Sequence, residues 1–207
     1  MPLNLPRRSY DDLRGEAEGF LAKYHPARTI PVPIEGIIEN DFLISIIPIP
    51  GLLNEFEIDG FISSNLEAIS IDEFIYMRRE RRARFTLAHE LSHLILHRDI
   101  ISKRGVATID QYRRFLGSIE DNEYRWLEWQ ARCLAGLILA PSQHLRDQLI
   151  IAQDKAGSAG LDTTSEPAVE YICESLSNIF NVSTQTIQYR LTKEGLISAE
   201  FPPELDF

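Results

Sequence analysis

A chain of 207 residues, 44% hydrophobic and 25% charged, can bury a real core and reads as one globular domain with an appendage. Its 31 acidic against 21 basic residues give a formal net charge of −10. That balance excludes a broad nucleic-acid-binding face, where clustered Lys and Arg would have to neutralise phosphates, and leaves room for a basic protein partner.

The charged N-terminus has no apolar h-region behind it. Ser9 can cap a helix running to about Tyr24, with Leu13, Ala17, Phe20 and Leu21 on one face and His25-Pro26 as its stop. A short second helix should end near Asn40. The greasiest stretch, Phe42–Leu53, is too short to span a bilayer and is broken by Pro48 and Pro50, so a cytoplasmic protein with no membrane span is expected. Phe42–Ile47, Gly60–Ser63 and Leu66–Ile71 read as strands, the last two joined as a hairpin through Ser64-Asn65. Apolar and polar residues alternate in Leu66–Ile71, which suggests an edge strand able to pair with an extended peptide.

A long amphipathic helix follows. The five arginines between Arg78 and Arg84 read as its solvated face. Residues 98–122 have weak periodicity and several turn formers, and are expected to form a loose segment beside the helix. A second strong helix spans Glu123–Leu139, with Ala140-Pro141-Ser142 ending it and capping the next. Asp154–Pro167 is small, polar and turn-rich, as a linker or long loop would be. Helices are then expected over Ala168–Phe180 and Thr184–Lys193, with a tight turn at Asn181. Cys133 and Cys173 have no ligand spacing and read as reduced, buried thiols.

Three of the chain's five histidines fall in RFTLAHELSHLILH, Arg84–His97. His89, Glu90 and His93 form His-Glu-x-x-His, which on a helix points two imidazoles from one face, a turn apart. At that spacing both can reach one Zn²⁺, while Glu90 sits where it can take a proton from an attacking water. The competing explanation is a core helix with hydrogen-bonded histidines. Several residues are open as third ligand. His97 lies roughly 12 Å in rise from His89 on a straight helix, which favours a supporting role behind the ligands. Asp99 has the metzincin spacing, but Leu96 occupies the place of the glycine at which that chain bends. Glu128 offers a carboxylate from another helix in an apolar setting, with Glu123 and Glu120 nearer that helix's polar start. Tyr112, Tyr124, His97 and Arg113 are the candidate donors to a developing oxyanion.

RARFTLAHELSHLILH, LEWQARCLAGLILAP and NIFNVSTQTIQYRLTKEGLI together resemble the ImmA/IrrE family of zinc metallopeptidases over about Arg8 to Ile197. Arg132, Leu134 and Ala140 stand where that family usually has asparagine, phenylalanine and methionine. The resemblance implies an α+β, zincin-like metallopeptidase domain, built from a small sheet and an active-site helix and followed by a helix-turn-helix-like module. It implies His89, His93 and Glu128 as metal ligands and Glu90 as general base. The metal would be zinc, with manganese or iron as alternatives. Residues 1–153 would form the catalytic domain, 154–167 the linker, 168–197 the helical module and 198–207 a tail.

By the same resemblance the protein would be an endopeptidase that cleaves a helix-turn-helix transcriptional repressor, of a mobile element or a stress response. Two rival readings are a non-catalytic, antitoxin-like binding protein and a DNA-binding regulator using the C-terminal module. For DNA that module is poor, since Arg190 and Lys193 are nearly its only cations beside Gln185, Gln188 and Tyr189. A module packed on the catalytic domain fits better.

Overall fold

The computed structural model of the chain describes residues 5–103, 105, 108–117 and 120–197; the expected tail, 198–207, lies outside them. Among the described residues the fold is mixed α+β: a three-stranded sheet on one side of a helical body. No described helix is long and apolar enough to cross a membrane.

Helix α1 (Tyr10–Tyr24) starts as its sequence dictates. The Ser9 hydroxyl accepts from the Asp12 amide, the Asp12 carboxylate accepts from the Ser9 amide, and Leu13, Ala17, Phe20 and Leu21 are buried. After α2 (Ile34–Asn40) come β1 (Ser45–Ile49), α3 (Leu52–Phe56), β2 (Gly60–Ile62), β3 (Ala68–Asp72) and α4 (Glu73–Arg78). Strand β1 starts later than expected and contains Pro48, which is tolerable because β1 lies at the sheet edge.

The strand read as an edge is the central one. β3 pairs in parallel with β1 and antiparallel with β2, so Leu66–Ile71 has no free backbone edge to offer a peptide. The alternation misled because only Glu67 is wet: Ser70 is buried within the sheet, and so is Asp72, the last residue of β3. Asp72 is buried and accepts from the amides of Ile75 and Leu53, capping α4 and fixing α3. The hairpin between β2 and β3 forms as expected, with the Ser63 amide bonded to the Ala68 carbonyl.

Helix α5 (Glu80–Lys103) is the spine of the molecule and packs along α7 (Asp121–Leu139), which in turn packs on α1. Between them, α6 (Ile109–Leu116) is an ordered helix where a loose segment was expected. Thr108 and Gln111 cap it reciprocally, and Tyr112 stacks on Phe61 of β2 at 5.1 Å between ring centres. The arginine run is not simply a solvated face. Arg82 forms two hydrogen bonds to Asp59 at 2.7 Å, Arg84 donates to the carbonyls of Val32 and Asn181, and Arg81 donates to Ser177 and Asn178.

Helices α8 (Ser142–Ser158), α9 (Glu166–Phe180) and α10 (Thr184–Lys193) complete the described chain. The first five residues of the expected 154–167 loop are helical, leaving a shorter connection. Asn181 takes a left-handed conformation (φ 53°) at the turn into α10. Arg190 of α10 is completely buried. It donates to the Ala140 carbonyl, the Ser142 hydroxyl, the Tyr10 hydroxyl and Glu194. Cys133, 3.1 Å from the Tyr189 hydroxyl, and Cys173 are buried, and burial pushes both thiols up to about 11.

Two expectations follow. An added Cβ on Gly60 would lie 2.8 Å from both the Ser70 carbonyl and the Thr86 methyl, so β2 could no longer sit between β3 and α5. Gly60→Ala should cost about 1–3 kcal/mol in denaturant unfolding, as overpacking does. Glu194 is the counter-charge to Arg190. Burial opposes its ionisation, but the Ser142 hydroxyl, Arg190 and Arg146 hold its carboxyl below the usual range. A depressed native pKa adds stability above the unfolded value, and that stability disappears as pH falls through the native one. Glu194→Gln should therefore cost about 1–3 kcal/mol at neutral pH, and its unfolding curve should converge with that of the parent chain below the ordinary carboxylate range.

Candidate metal centre

The middle of α5 buries Leu87, Ala88, Leu91 and Leu94, which fixes the helix's rotation and leaves His89, Glu90 and His93 toward the α7 side and the sheet. α7 buries Leu127, Ala131 and Leu134 against the same core, and that fixes Glu128. Two helices with no sequence proximity thus bring the three expected ligands together. His89 Nε2 lies 3.1 Å from Glu128 Oε2, His93 Nε2 lies 3.3 Å from Glu128 Oε1, and the two imidazole nitrogens are 3.1 Å apart.

Tetrahedral zinc with bonds of about 2.0–2.1 Å requires ligand atoms roughly 3.3 Å apart. The observed triangle matches that spacing, so the residues fit the ion. His93 and Glu128 are buried and His89 is half-buried. Behind His93, His97 Nδ1 lies 3.1 Å from His93 Nδ1, the place of a residue that orients a ligand. α5 breaks at His97 (φ −127°, ψ 21°), one residue past the position where a glycine bend was absent from the sequence. Asp99, beyond that break, is exposed, as are Glu120 and, partly, Glu123, and none joins the cluster.

Electrostatics hold the group together. Burial works against the charge on Glu128, yet His93 and His89 keep its carboxyl well below the usual range. Burial likewise opposes a proton on His89, but Glu128 and Glu90 outweigh it and raise the imidazole, with Arg132 pulling the other way. Glu90 is buried; its Oε2 accepts from the Ile62 amide at 2.9 Å, while Oε1 lies 4.0 Å from His89 Nε2. β2 therefore aims the carboxylate at the ligand cluster.

His89, Glu90 and Glu128 open onto a cleft of about 1170 Å³. Of the candidate oxyanion donors, Tyr112 and Tyr124 line it. His97 is sequestered behind His93, and Arg113 lies outside the lining with its guanidinium near the Phe56 ring. Arg132, one turn beyond Glu128 on α7, also lines the cleft. The helical spacing from Glu128 was the signal that could have brought it forward as a site residue.

A family model described as Peptidase_M78, IrrE N-terminal-like domain, matches residues 76–192, more than half of the chain. The chain belongs to this family. The matched span of this M78 protein begins just before α5 and contains the whole metal cluster, so the domain is peptidase-like in family as well as in geometry. No curated protein matches the chain. Among solved structures, a Mycobacterium tuberculosis transcriptional regulator is similar with a TM-score of 0.54 and 18% identity, over 98% of this chain and 50% of that one. At that identity the likeness concerns the fold, and the M78 protein spans about half the length of that regulator.

A metal titration tests the centre directly. Zinc added to chelator-treated protein should raise Tm, by about 2.7 kcal/mol of stability at a hundredfold excess over Kd. Glu128→Ala should abolish the rise and bring bound zinc, by elemental analysis, close to zero. His97→Ala should weaken zinc affinity about 10–100-fold, the usual effect of losing a residue that orients a ligand.

Proposed function

We propose that the protein is a zinc-dependent endopeptidase whose substrate is a helix-turn-helix transcriptional repressor. The observation that carries this reading is the convergence of His89, His93 and Glu128 on one point of a cleft that Glu90 shares. A three-residue ligand set leaves a fourth position open, as catalytic zinc sites do and structural ones do not. When bound, the ion would polarise the scissile carbonyl and make water acidic enough to attack at neutral pH.

The remaining work falls to the chain's own side chains. Glu90 Oε2 accepts from the Ile62 amide, which keeps the carboxylate pointed at the cluster. Its other oxygen takes a proton from the attacking water and returns it to the leaving amine. Tyr112 and Tyr124 each bring to the cleft a phenolic hydroxyl able to donate to the carbonyl oxygen as charge develops on it. Ile58 and Asp59, which lead into β2, and Gly60, its first residue, form part of the cleft wall. Manganese or iron could occupy the same ligands, since two imidazoles and a carboxylate also suit them.

The repressor as substrate is carried by the resemblance to ImmA/IrrE peptidases; a net charge of −10 is compatible with a basic DNA-binding partner. The reading as a DNA-binding regulator is weakened by the burial of Arg190 and Tyr189, which removes two of the side chains that α10 would present to a groove. Hydrolysis and mere binding separate cleanly at Glu90. Co-incubation with a candidate helix-turn-helix repressor from the same organism should yield a fragment that chelator abolishes. Glu90→Gln should retain zinc and lose about 10²–10⁴-fold in cleavage rate, the usual worth of a general base. Relief of repression in cells by Glu90→Gln would instead assign the function to binding.

A further inference from the structure

The cleft that holds the metal cluster does not end at the catalytic helices. Its far wall is the α9–α10 turn and the first turn of α10, contributing Asn181, Ser183, Gln185 and Thr186. This wall is tied to α5, the helix that carries the histidines. Arg81 donates to Ser177 and Asn178, Arg84 donates to the Asn181 backbone carbonyl, and the Asn181 side-chain Nδ2 donates to Glu80. The first turn of α10 is thus held at a fixed distance from the ligand cluster.

On that wall Gln185 is exposed, and among the described residues its side chain has no hydrogen bond or ion pair. Its neighbours are already engaged: the Ser183 hydroxyl accepts from the Thr186 amide, and Thr186 is buried. A primary amide donates and accepts at once, which complements a peptide group or an uncharged polar side chain. The cleft, about 1170 Å³, exceeds the roughly 300–1,000 Å³ typical of small-molecule sites, as a polypeptide segment requires. DNA is the poorer occupant. Of the two cations of α10, Arg190 is buried and Lys193 is the helix's last residue, outside the cleft lining. Five acids line the cleft against four arginines, two of which, Arg81 and Arg82, are already engaged, and the chain carries a net charge of −10.

We infer that Gln185 is a specificity-determining residue: it hydrogen-bonds a polypeptide lying in the cleft at a position remote from the bond to be cut. The helix-turn-helix-like segment thereby selects peptide sequence at the metal centre. For the cutting itself, this inference rests on the peptidase reading; for peptide binding it does not.

The test uses the full-length, zinc-loaded protein and a library of randomised twelve-residue peptides. Cleavage sites are mapped by mass spectrometry for the parent chain, Gln185→Ala and Gln188→Ala. Gln188 lies on the next turn of α10, outside the cleft lining. In parallel, peptides retained by the uncleaving Glu90→Gln protein are sequenced with and without Gln185→Ala. Gln185→Ala should leave zinc content unchanged and weaken the preference at one remote position about three- to tenfold, the worth of a single hydrogen bond. Gln188→Ala should leave the preference as it is. Identical profiles for the parent chain and Gln185→Ala, or a change equally large in Gln188→Ala, would overturn the inference. So would an absence of both cleavage and peptide retention, or retention of a duplex DNA pool that Gln185→Ala abolishes. Peptide retention that depends on Gln185 without any cleavage would uphold the inference and remove the peptidase reading. Cleavage indifferent to Gln185 would do the reverse.

Discussion

Glu128 is a charge taken out of water, and the molecule is organised around keeping it there. An isolated carboxylate in that setting would protonate or drag water in after it. Two imidazoles from α5 stand within 3.3 Å and let it remain ionised. They reach it only while α5 and α7 hold their relative rotation, and the large apolar faces of both helices provide that. Packing and chemistry are therefore one problem here. The leucines that bury themselves between the helices also set the triangle into which a divalent ion fits.

A second layer of polar contacts ties outlying parts to this pair. β2 reaches the centre through one amide, that of Ile62, and Gly60 makes room for that approach. The arginines at the start of α5 reach Asp59 before the sheet strand, Val32 before α2, and Ser177, Asn178 and Asn181 around the last turn. Exposed pairs of this kind contribute little stability one by one. Their value is geometric, since they fix where the cleft walls stand relative to the ligands.

Much of the site could be read from the residues, because its grammar is local. His89, Glu90 and His93 are neighbours on one helix, and Ser9 with Asp12 announces the start of α1. Glu128 was one of several carboxylates in the sequence, and the contact between α5 and α7 brings it to the histidines. The order of strands was hidden for a related reason: alternation reports which residues are wet, not which strand lies next door. In β3 even that signal failed, as Asp72 is polar but buried, its carboxylate capping α4 and holding α3. The roles of the arginines and the burial of Arg190 are equally non-local. A cation 0% exposed is invisible in a string of letters until the Ala140 carbonyl and Glu194 are known to surround it.

The two sulfurs carry a practical consequence. With both thiols pushed to about 11, roughly one in ten thousand is thiolate at pH 7, and neither is open to solvent. The native chain is thus nearly silent to maleimide chemistry. A single cysteine placed at exposed Thr184, between the cleft-lining residues Ser183 and Gln185, would become its sole handle for a fluorophore or spin label. The arrival of a ligand in the cleft could then be followed in solution without first removing either natural sulfur.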